Sequence, residues 1–342
     1  MRQLVTIEKI QEKKSIEGAD KIEAVRIRDW WVVAKKDEFV AGDSCVYFEI
    51  DSLLPIIPPF EFLLKGSSKK RMIVDGKQKE GIRLKTIKLR GQISQGLVMP
   101  LEDVTLYSKR PFSQFDNGED VTEDLGVIKY EIPLPAELVG KVKGFFPAFI
   151  PKTDEERIQN MSEVLSAFYV TEKLDGTSVT FFKKDGTFGV CSRNLELSEG
   201  ETTQWKLAKK YDLANKLPDN FAIQCELIGE GIQKNPLKQT GQDIYCFNVY
   251  KIDIGKYLDY KDFIGFCQSL GVKTVPIVDD NFVLPKSVDD LLAYAEGKSL
   301  LNPELEREGV VVRSKVEMQY RGARLSFKAI SNRYLLSEER ST

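Results

Sequence analysis

The chain has 342 residues, 42% hydrophobic and 10% aromatic, and its 50 basic and 52 acidic side chains leave a formal net charge of −2. Such a length accommodates two domains with separate cores, and the charge balance excludes a uniform polycationic coat while leaving room for a basic groove on one face. Histidine is absent, so Ser-His and Cys-His triads, histidine bases and histidine-bound metals are excluded.

The first residues, MRQLVTIEKIQEKK, lack the apolar core of a secretion signal. No run of about 18 or more apolar residues offers a membrane span. An intracellular protein, cytoplasmic or nuclear and with no membrane partner, is expected. Strand-like runs follow at 4–10, 21–36, 43–52, 82–91 and 95–100, rich in Val, Ile and Tyr and separated by Gly, Asp and Pro. Five short strands match the strand count of an OB barrel. In this region Trp30, Trp31 and the basic residues Arg83, Lys85, Lys88 and Arg90 are candidates for contact with a nucleic-acid backbone, or equally the ordinary alternation of a barrel wall.

Residues 101–160 read as a Pro-rich connector, and TDEERIQNMSEVLSAF (153–168) as a helix with apolar residues at Ile158, Met161, Val164, Leu165 and Phe168. Beyond it, strands at 169–192, 221–229, 244–252, 307–315 and 324–330 mix with helices at 203–217, near 260–270 and near 287–296. The expected organisation is an OB-type domain over 1–128, a connector over 129–152 and an α+β domain over 153–342. Cys45, Cys191, Cys225, Cys246 and Cys267 are widely spaced, which argues against a disulfide framework or a zinc knuckle.

The pattern Lys-x-Asp-Gly occurs twice, at 173–176 and 183–186. The second copy lies between alternating apolar runs and reads as a hairpin turn. The first is followed in order by Arg193-Asn194, by Glu226 in QCELIGE, by Phe247 in IYCFNVY, by Glu308-Gly309 and by Lys328 in LSFKAI. Most of these place a charge on or beside a strand that would otherwise be buried, which is costly unless the charge faces a polar site. Several such interruptions in one domain point to a shared cleft.

This ordered series, over residues 172–328, resembles the covalent nucleotidyltransferases: ATP-dependent DNA and RNA ligases and GTP-dependent capping enzymes. With the β domain in front and only 14 residues after Lys328, the arrangement is similar to RNA ligase family five. WWVVAKK, VYFEIDSLLP, LRGQISQGLVMP and FIPKTDEERIQN extend the resemblance. It implies an N-terminal OB-type β-barrel followed by an ATP-grasp-like antiparallel α+β nucleotidyltransferase domain. The implied activity joins RNA 3′-OH and 5′-phosphate ends, at nicks in RNA-containing duplexes, through lysyl-AMP and RNA-adenylate. ATP is the implied substrate, Mg²⁺ or Mn²⁺ the implied metal, and a monomer the implied state. Alternatives are a DNA ligase, a capping-type enzyme using GTP, or a non-catalytic nucleic-acid-binding relative.

By matched position, Lys173 is the implied nucleophile and Lys328 the α-phosphate contact. Glu172, Arg193, Glu226, Phe247 and Val310, with Val311 as the alternative to Val310, line the nucleotide. Asp175 and Glu308 engage the metal, and Arg193 grips the RNA 5′-phosphate with Lys85, Lys88 and Arg90 along the strand. The lysine acts only when neutral, so its pKa is expected to fall through burial or nearby positive charge. One departure stands out: related ligases carry two lysines one residue apart in the last motif, whereas Ser326 occupies the first position here, with Arg324 or Lys315 as substitutes for the missing charge.

Overall fold

The computed structural model describes residues 3–66, 68–74, 77–110, 116–130, 140–153, 155–157, 167–320 and 323–339. The chain divides into two compact units, Met1–Leu134 and Pro135–Thr342.

In the first unit the run at 21–36 folds back on itself. Ile22–Ile27 pairs with Trp30–Lys35 around Arg28, whose φ of 53° makes the tight turn. Glu12–Ser15 adds a third strand to this hairpin, while Val5–Lys9 and Leu97–Pro100 flank Ser44–Phe48. The central strand is buried on both faces: Val46 and Phe48 join Val5, Ile7 and Ile82, whereas Cys45 and Tyr47 join Val25, Trp30 and Val32. That double burial is why its sequence is apolar without a break. A second sheet holds Ser52–Leu54, Lys77–Arg83 and Lys69–Val74, and Thr86–Leu89 and Gln92–Gln95 form a hairpin. The 3-10 helix Pro58–Lys65, which sequence periodicity did not signal, covers this core with Phe60.

The second unit is built on two sheets. The larger runs, in order, through Val142–Phe145, Leu195–Leu197, Thr187–Ser192, Thr177–Lys184, Phe221–Gly229, Gln242–Lys251 and Lys256–Tyr257, with Lys273–Thr274 also on Gln242–Lys251. One face packs on the helices Thr203–Lys210, Leu213–Lys216 and Tyr260–Leu270. The helix predicted over 203–217 is broken at Asp212, whose φ of 54° is left-handed. The smaller sheet orders Glu156–Arg157, Ser326–Ile330, Gly309–Ser314, Phe168–Lys173 and Ile277–Phe282, with the helix Val288–Ala295 behind it. Of the helix predicted over 153–168, residues 154 and 158–166 lie outside the described residues, and Glu156–Arg157 is a strand paired parallel to Phe327 and Lys328. The helix Asn332–Glu339 was not foreseen. No helix among the described residues is long and apolar enough to cross a membrane. All five cysteines are buried and unpaired by disulfide, as expected of small hydrophobes.

Candidate active site

Strand alternation decides which side chains meet. In the smaller sheet Phe168, Val170, Val310, Val312, Phe327 and Ala329 share one core, so Tyr169, Thr171, Lys173, Val311, Arg313, Ser326 and Lys328 belong to the opposite face. Lateral contacts agree: Arg313 Nη1 lies 3.3 Å from Thr171 Oγ1, and Val311 is the register partner of both Thr171 and Lys328. Val310 is therefore turned into the core, fully buried, and Val311 carries the face that Lys173 and Lys328 share.

Lys173 ends its strand with Nζ 2.6 Å from Glu308 Oε1, both side chains partly exposed at 28% and 16%. Glu308 arrives there because Gly309 is the register partner of Lys173. The turn that follows is held by Gly176, where a β-carbon would come within 2.4 Å of the Leu227 carbonyl oxygen. Glycine is required for this close approach, and it draws the turn onto the strand that carries Glu226. The second Lys-x-Asp-Gly copy differs in kind: Asp185 and Gly186 have φ of 51° and 74° between paired Lys184 and Thr187, and Gly186 has open space around it. That is a hairpin turn with both central residues left-handed.

The larger sheet supplies the facing wall. Ile223, Cys225 and Leu227 pack in its helix-covered core, so Gln224, Glu226 and Ile228 project the other way. Opposite them the register slips between Gln224 and Cys225, which pair with Asn248 and Cys246. Phe247 is the extra residue of this β-bulge. A bulge re-aims side chains at such points, and here Phe247 and Asn248 both leave the core. Phe247 packs against Leu174, Ile228, Tyr245 and Val275, and the Arg313 guanidinium lies 5.9 Å from its ring centroid.

Charge is divided between two ends of this cleft. Desolvation by itself lowers the Lys173 amine, but Glu308, Glu226 and Asp175 outweigh it and hold it above the ordinary lysine value. The amine of the nucleotide-free site is therefore held in its protonated form, and the fall expected for the nucleophile belongs to the site loaded with nucleotide and metal. Burial raises Glu226, Lys173 opposes that, and Glu308 and Asp175 reinforce it, leaving the carboxyl at about 8. Asp175 accepts a hydrogen bond from the Tyr334 hydroxyl. At the other end Glu155, raised by burial but held below its usual range overall by Arg313 and Arg324, sits beside Ser326. Arg324 is committed to Glu317 through both carboxylate oxygens, at 2.8 and 2.9 Å, and to Asn248 Oδ1 at 2.7 Å. Lys315 Nζ lies 3.5 Å from Asn281 Oδ1. Neither is thus placed as a free replacement for the charge missing at Ser326.

The other expected residues fall as follows. Glu172 is buried on the core side, its carboxylate accepting from the Leu300 amide at 2.7 Å, so only its backbone borders the Lys173 face. Arg193 is exposed on the turn after Thr187–Ser192 and acts electrostatically on Glu226. In the first unit Trp30 is fully buried, whereas Trp31 faces outward with Lys14 Nζ 3.7 Å from its ring centroid. Lys88 and Arg90 are exposed on the hairpin, Lys85 is half-buried, and Arg83 pairs with Asp51 at 2.7 Å. Sequence reasoning missed Arg313 and Tyr334, and also Arg157, the buried register partner of Lys328. An arginine inside GVVVRS was the one signal available for the first of these.

Among the described residues no three Asp, Glu, Cys or His side chains converge closely enough to hold a metal by themselves. The side chains acting on Lys173 include the carboxyl groups of Glu308, Glu226 and Asp175. That set fits a Mg²⁺-type ion, which keeps several waters and takes one or two carboxylates together with substrate phosphates.

The domain order and the lysine-centred cleft are those of a two-module nucleic-acid-modifying enzyme, and comparison gives the modules their class. An OB-fold domain model matches residues 4–101 and an RNA ligase model matches residues 166–330. A Naegleria gruberi RNA ligase mutant with AMP and Mn is 39% identical over 100% of both chains, with a TM-score of 0.86. Another mutant of that ligase, with ATP and Mn, is 38% identical over 99% of this chain and 100% of its own, at 0.85. The same ligase with PPi is 39% identical over 100% of both chains, at 0.84. No curated protein sequence matches the chain. The chain belongs to the RNA ligase family.

Proposed function

We propose that this RNA ligase uses ATP to join a 3′-OH to a 5′-phosphate at nicks in RNA-containing duplexes, with Lys173 as nucleophile. Lys173 Nζ attacks the α-phosphorus of ATP, forming a P–N bond as pyrophosphate leaves. The RNA 5′-phosphate then takes the AMP, forming a P–O–P link and releasing the lysine. Finally the 3′-OH attacks the 5′-phosphorus, loses its proton, and expels AMP. The observation that carries this reading is the cluster of Lys173 with Glu308, Glu226 and Asp175 on a face shared with Lys328.

Because Lys173 is held protonated, its first task is to lose a proton to the carboxylates around it. Asp175 and Glu308 would hold a Mg²⁺ or Mn²⁺ ion, directly or through water, and the ion supplies positive charge that offsets these carboxylates and the phosphate oxygens. Lys328 is two strands across and two residues along from Lys173. That is roughly 12 Å between backbones by ordinary sheet spacing, a gap that two lysine side chains and a phosphate fill. Phe247 stacks on adenine and Val311 packs from the opposite sheet. Glu226 holds the ribose hydroxyls, and exposed Arg193 meets the RNA 5′-phosphate with its guanidinium fork. Lys88 and Arg90 of the first unit contact the nucleic-acid backbone. The protein acts as an intracellular monomer.

The test is incubation with α-³²P-labelled ATP or GTP and Mn²⁺ or Mg²⁺, after stripping any bound AMP with pyrophosphate, followed by denaturing electrophoresis. Label from ATP on the wild type and none on Lys173→Ala is expected, with nick sealing by RNA 3′-OH ends. Label that persists in Lys173→Ala sinks the nucleophile, and label from GTP alone moves the reaction to capping-type chemistry.

A further inference from the structure

The helix Asn332–Glu339 lies beyond the last strand of the site, yet it is tied into the carboxylate cluster at two points. Ser331, itself 1% exposed, donates its amide to the Glu308 carbonyl at 2.9 Å. Its hydroxyl accepts from the Tyr334 amide at 3.2 Å, which starts the helix. One turn on, the Tyr334 hydroxyl donates to Asp175 Oδ2. The helix therefore joins the backbone of one carboxylate beside Lys173 to the side chain of another. A third anchor, Arg333 Nε to Glu296 Oε2 at 2.9 Å, fastens the helix away from the cluster.

We propose that Tyr334 is a positioning residue: its hydroxyl fixes the Asp175 carboxylate so that Oδ1, the oxygen outside that bond, is presented to a divalent cation. The inference rests on the metal role given above to Asp175 and Glu308. The aspartate within the Leu174-Asp175-Gly176 turn has two rotatable side-chain bonds of its own, and a neutral phenol can restrain them without adding the repulsion or the competition that a lysine or arginine would bring. Partners of this kind, one bond removed from the metal, are worth about 10- to 100-fold in metal affinity. Tyrosine also donates from a ring held by the helix, so the carboxylate is fixed relative to Glu308 by the same element that Ser331 ties to the Glu308 backbone.

The test is Mn²⁺ binding in saturating AMP, followed by loss of the free-ion EPR signal, for wild type, Tyr334→Phe and Arg333→Ala. Tyr334→Phe removes one oxygen and keeps the ring; it is expected to weaken Mn²⁺ about 10-fold while leaving the melting temperature near that of the wild type. Arg333→Ala loosens the helix at its other anchor and is expected to change melting but to leave Mn²⁺ affinity within twofold. If the wild type binds Mn²⁺ and Tyr334→Phe binds it equally well or better, the positioning role is overturned and the metal site stands. If both variants weaken Mn²⁺ equally, the effect belongs to helix docking and the specific role of the hydroxyl is overturned. A wild type that binds no Mn²⁺ overturns the proposal together with the metal reading beneath it.

Discussion

Replacing Gly176 by alanine tests the proposal that one Lys-x-Asp-Gly copy is chemical and the other is not. A β-carbon at 176 would lie 2.4 Å from the Leu227 carbonyl oxygen, 2.7 Å from Ile228 Cγ2 and 3.1 Å from Glu226 Cγ. Leu227 is paired on both sides, to Thr177 and to Ile244, so the obstructing oxygen is fixed. Ordinary contact begins near 3.4 Å, and the turn must therefore retreat from the Glu226 strand by about 1 Å. Lys173 stands three residues away, at the end of the strand that leads into this turn. Misplacing a reacting group by about 1 Å costs on the order of 10²-fold in rate, so the single-turnover rate of AMP transfer from labelled ATP should fall by that factor. Gly186→Ala is the matched control. Its β-carbon meets nothing within 4 Å, but φ of +74° strains any L-residue, costing about 1 kcal/mol. It should lower the melting temperature slightly and leave the labelling rate unchanged. A Gly176→Ala enzyme that is folded and labels within a few-fold of wild type would refute the close-approach argument.

Other outcomes follow from the same geometry. The Glu226 carboxyl, raised by burial to about 8 against an unfolded value of 4.5, contributes stability in full below the lower value and loses it as pH rises through the higher one. Melting temperature of the nucleotide-free protein should therefore fall between about pH 5 and pH 8, and Glu226→Gln should flatten that slope; an unchanged slope argues that the carboxyl is not buried as described. If Phe247 stacks on adenine as proposed, Phe247→Ala removes a surface worth about 1–3 kcal/mol per base, so KM for ATP should rise about tenfold, whereas Phe247→Tyr should restore it. Arg324→Ala leaves Glu317 and Asn248 without their shared partner and strips one arginine from Glu155. Breaking a buried pair in this way costs about 3–5 kcal/mol, readable by denaturant unfolding, while Lys315→Ala should stay within about 0.5 kcal/mol.

Order along the chain was legible where side-chain chemistry interrupts an apolar strand. Glu226 in QCELIGE and the two glycine turns could be read directly, because a charge on a buried strand and a glycine at a tight turn each have few structural explanations. Which of two neighbours faces the site was not legible. Val310 and Val311 are the same residue type, and only the register of Gly309–Ser314 against Phe168–Lys173 turns the second toward Lys173. Phe247 illustrates the opposite case: simple alternation from Ile244 and Cys246, both in the core, would place Phe247 and Val249 on different faces from Asn248, and it is the bulge that lets Phe247 and Asn248 share one. A register slip depends on the partner strand, so one strand's sequence cannot announce it. Tyr334 was invisible for a similar reason, since its meaning comes from Asp175, 159 residues earlier.

The ionisation of the site also depends on contacts that spacing does not reveal, and it changes how the nucleophile is understood. Burial or nearby positive charge was expected to depress Lys173. In the nucleotide-free site the arginines Arg313 and Arg324 lie at the far end instead, and Glu155 and Glu317 hold them. Around Lys173 itself the carboxyl groups of Glu308, Glu226 and Asp175 face one amine, and that of Glu226 is itself raised to about 8. On the proposed role of Lys173, a protonated amine has no lone pair to attack with, so it must lose its proton before it can act. The same surplus of carboxylate draws cations, while on the proposed reading Lys328 is the cation that meets the phosphate oxygens. ATP with its accompanying cation matches both ends at once, and partial neutralisation of Glu308, Glu226 or Asp175 removes the interactions that keep the amine charged. On this account nucleophilicity arrives with the substrate. It also explains how a serine can stand at 326: the buried arginines beside Glu155 already occupy the charge balance there, and a further lysine would have to share a carboxylate that they hold.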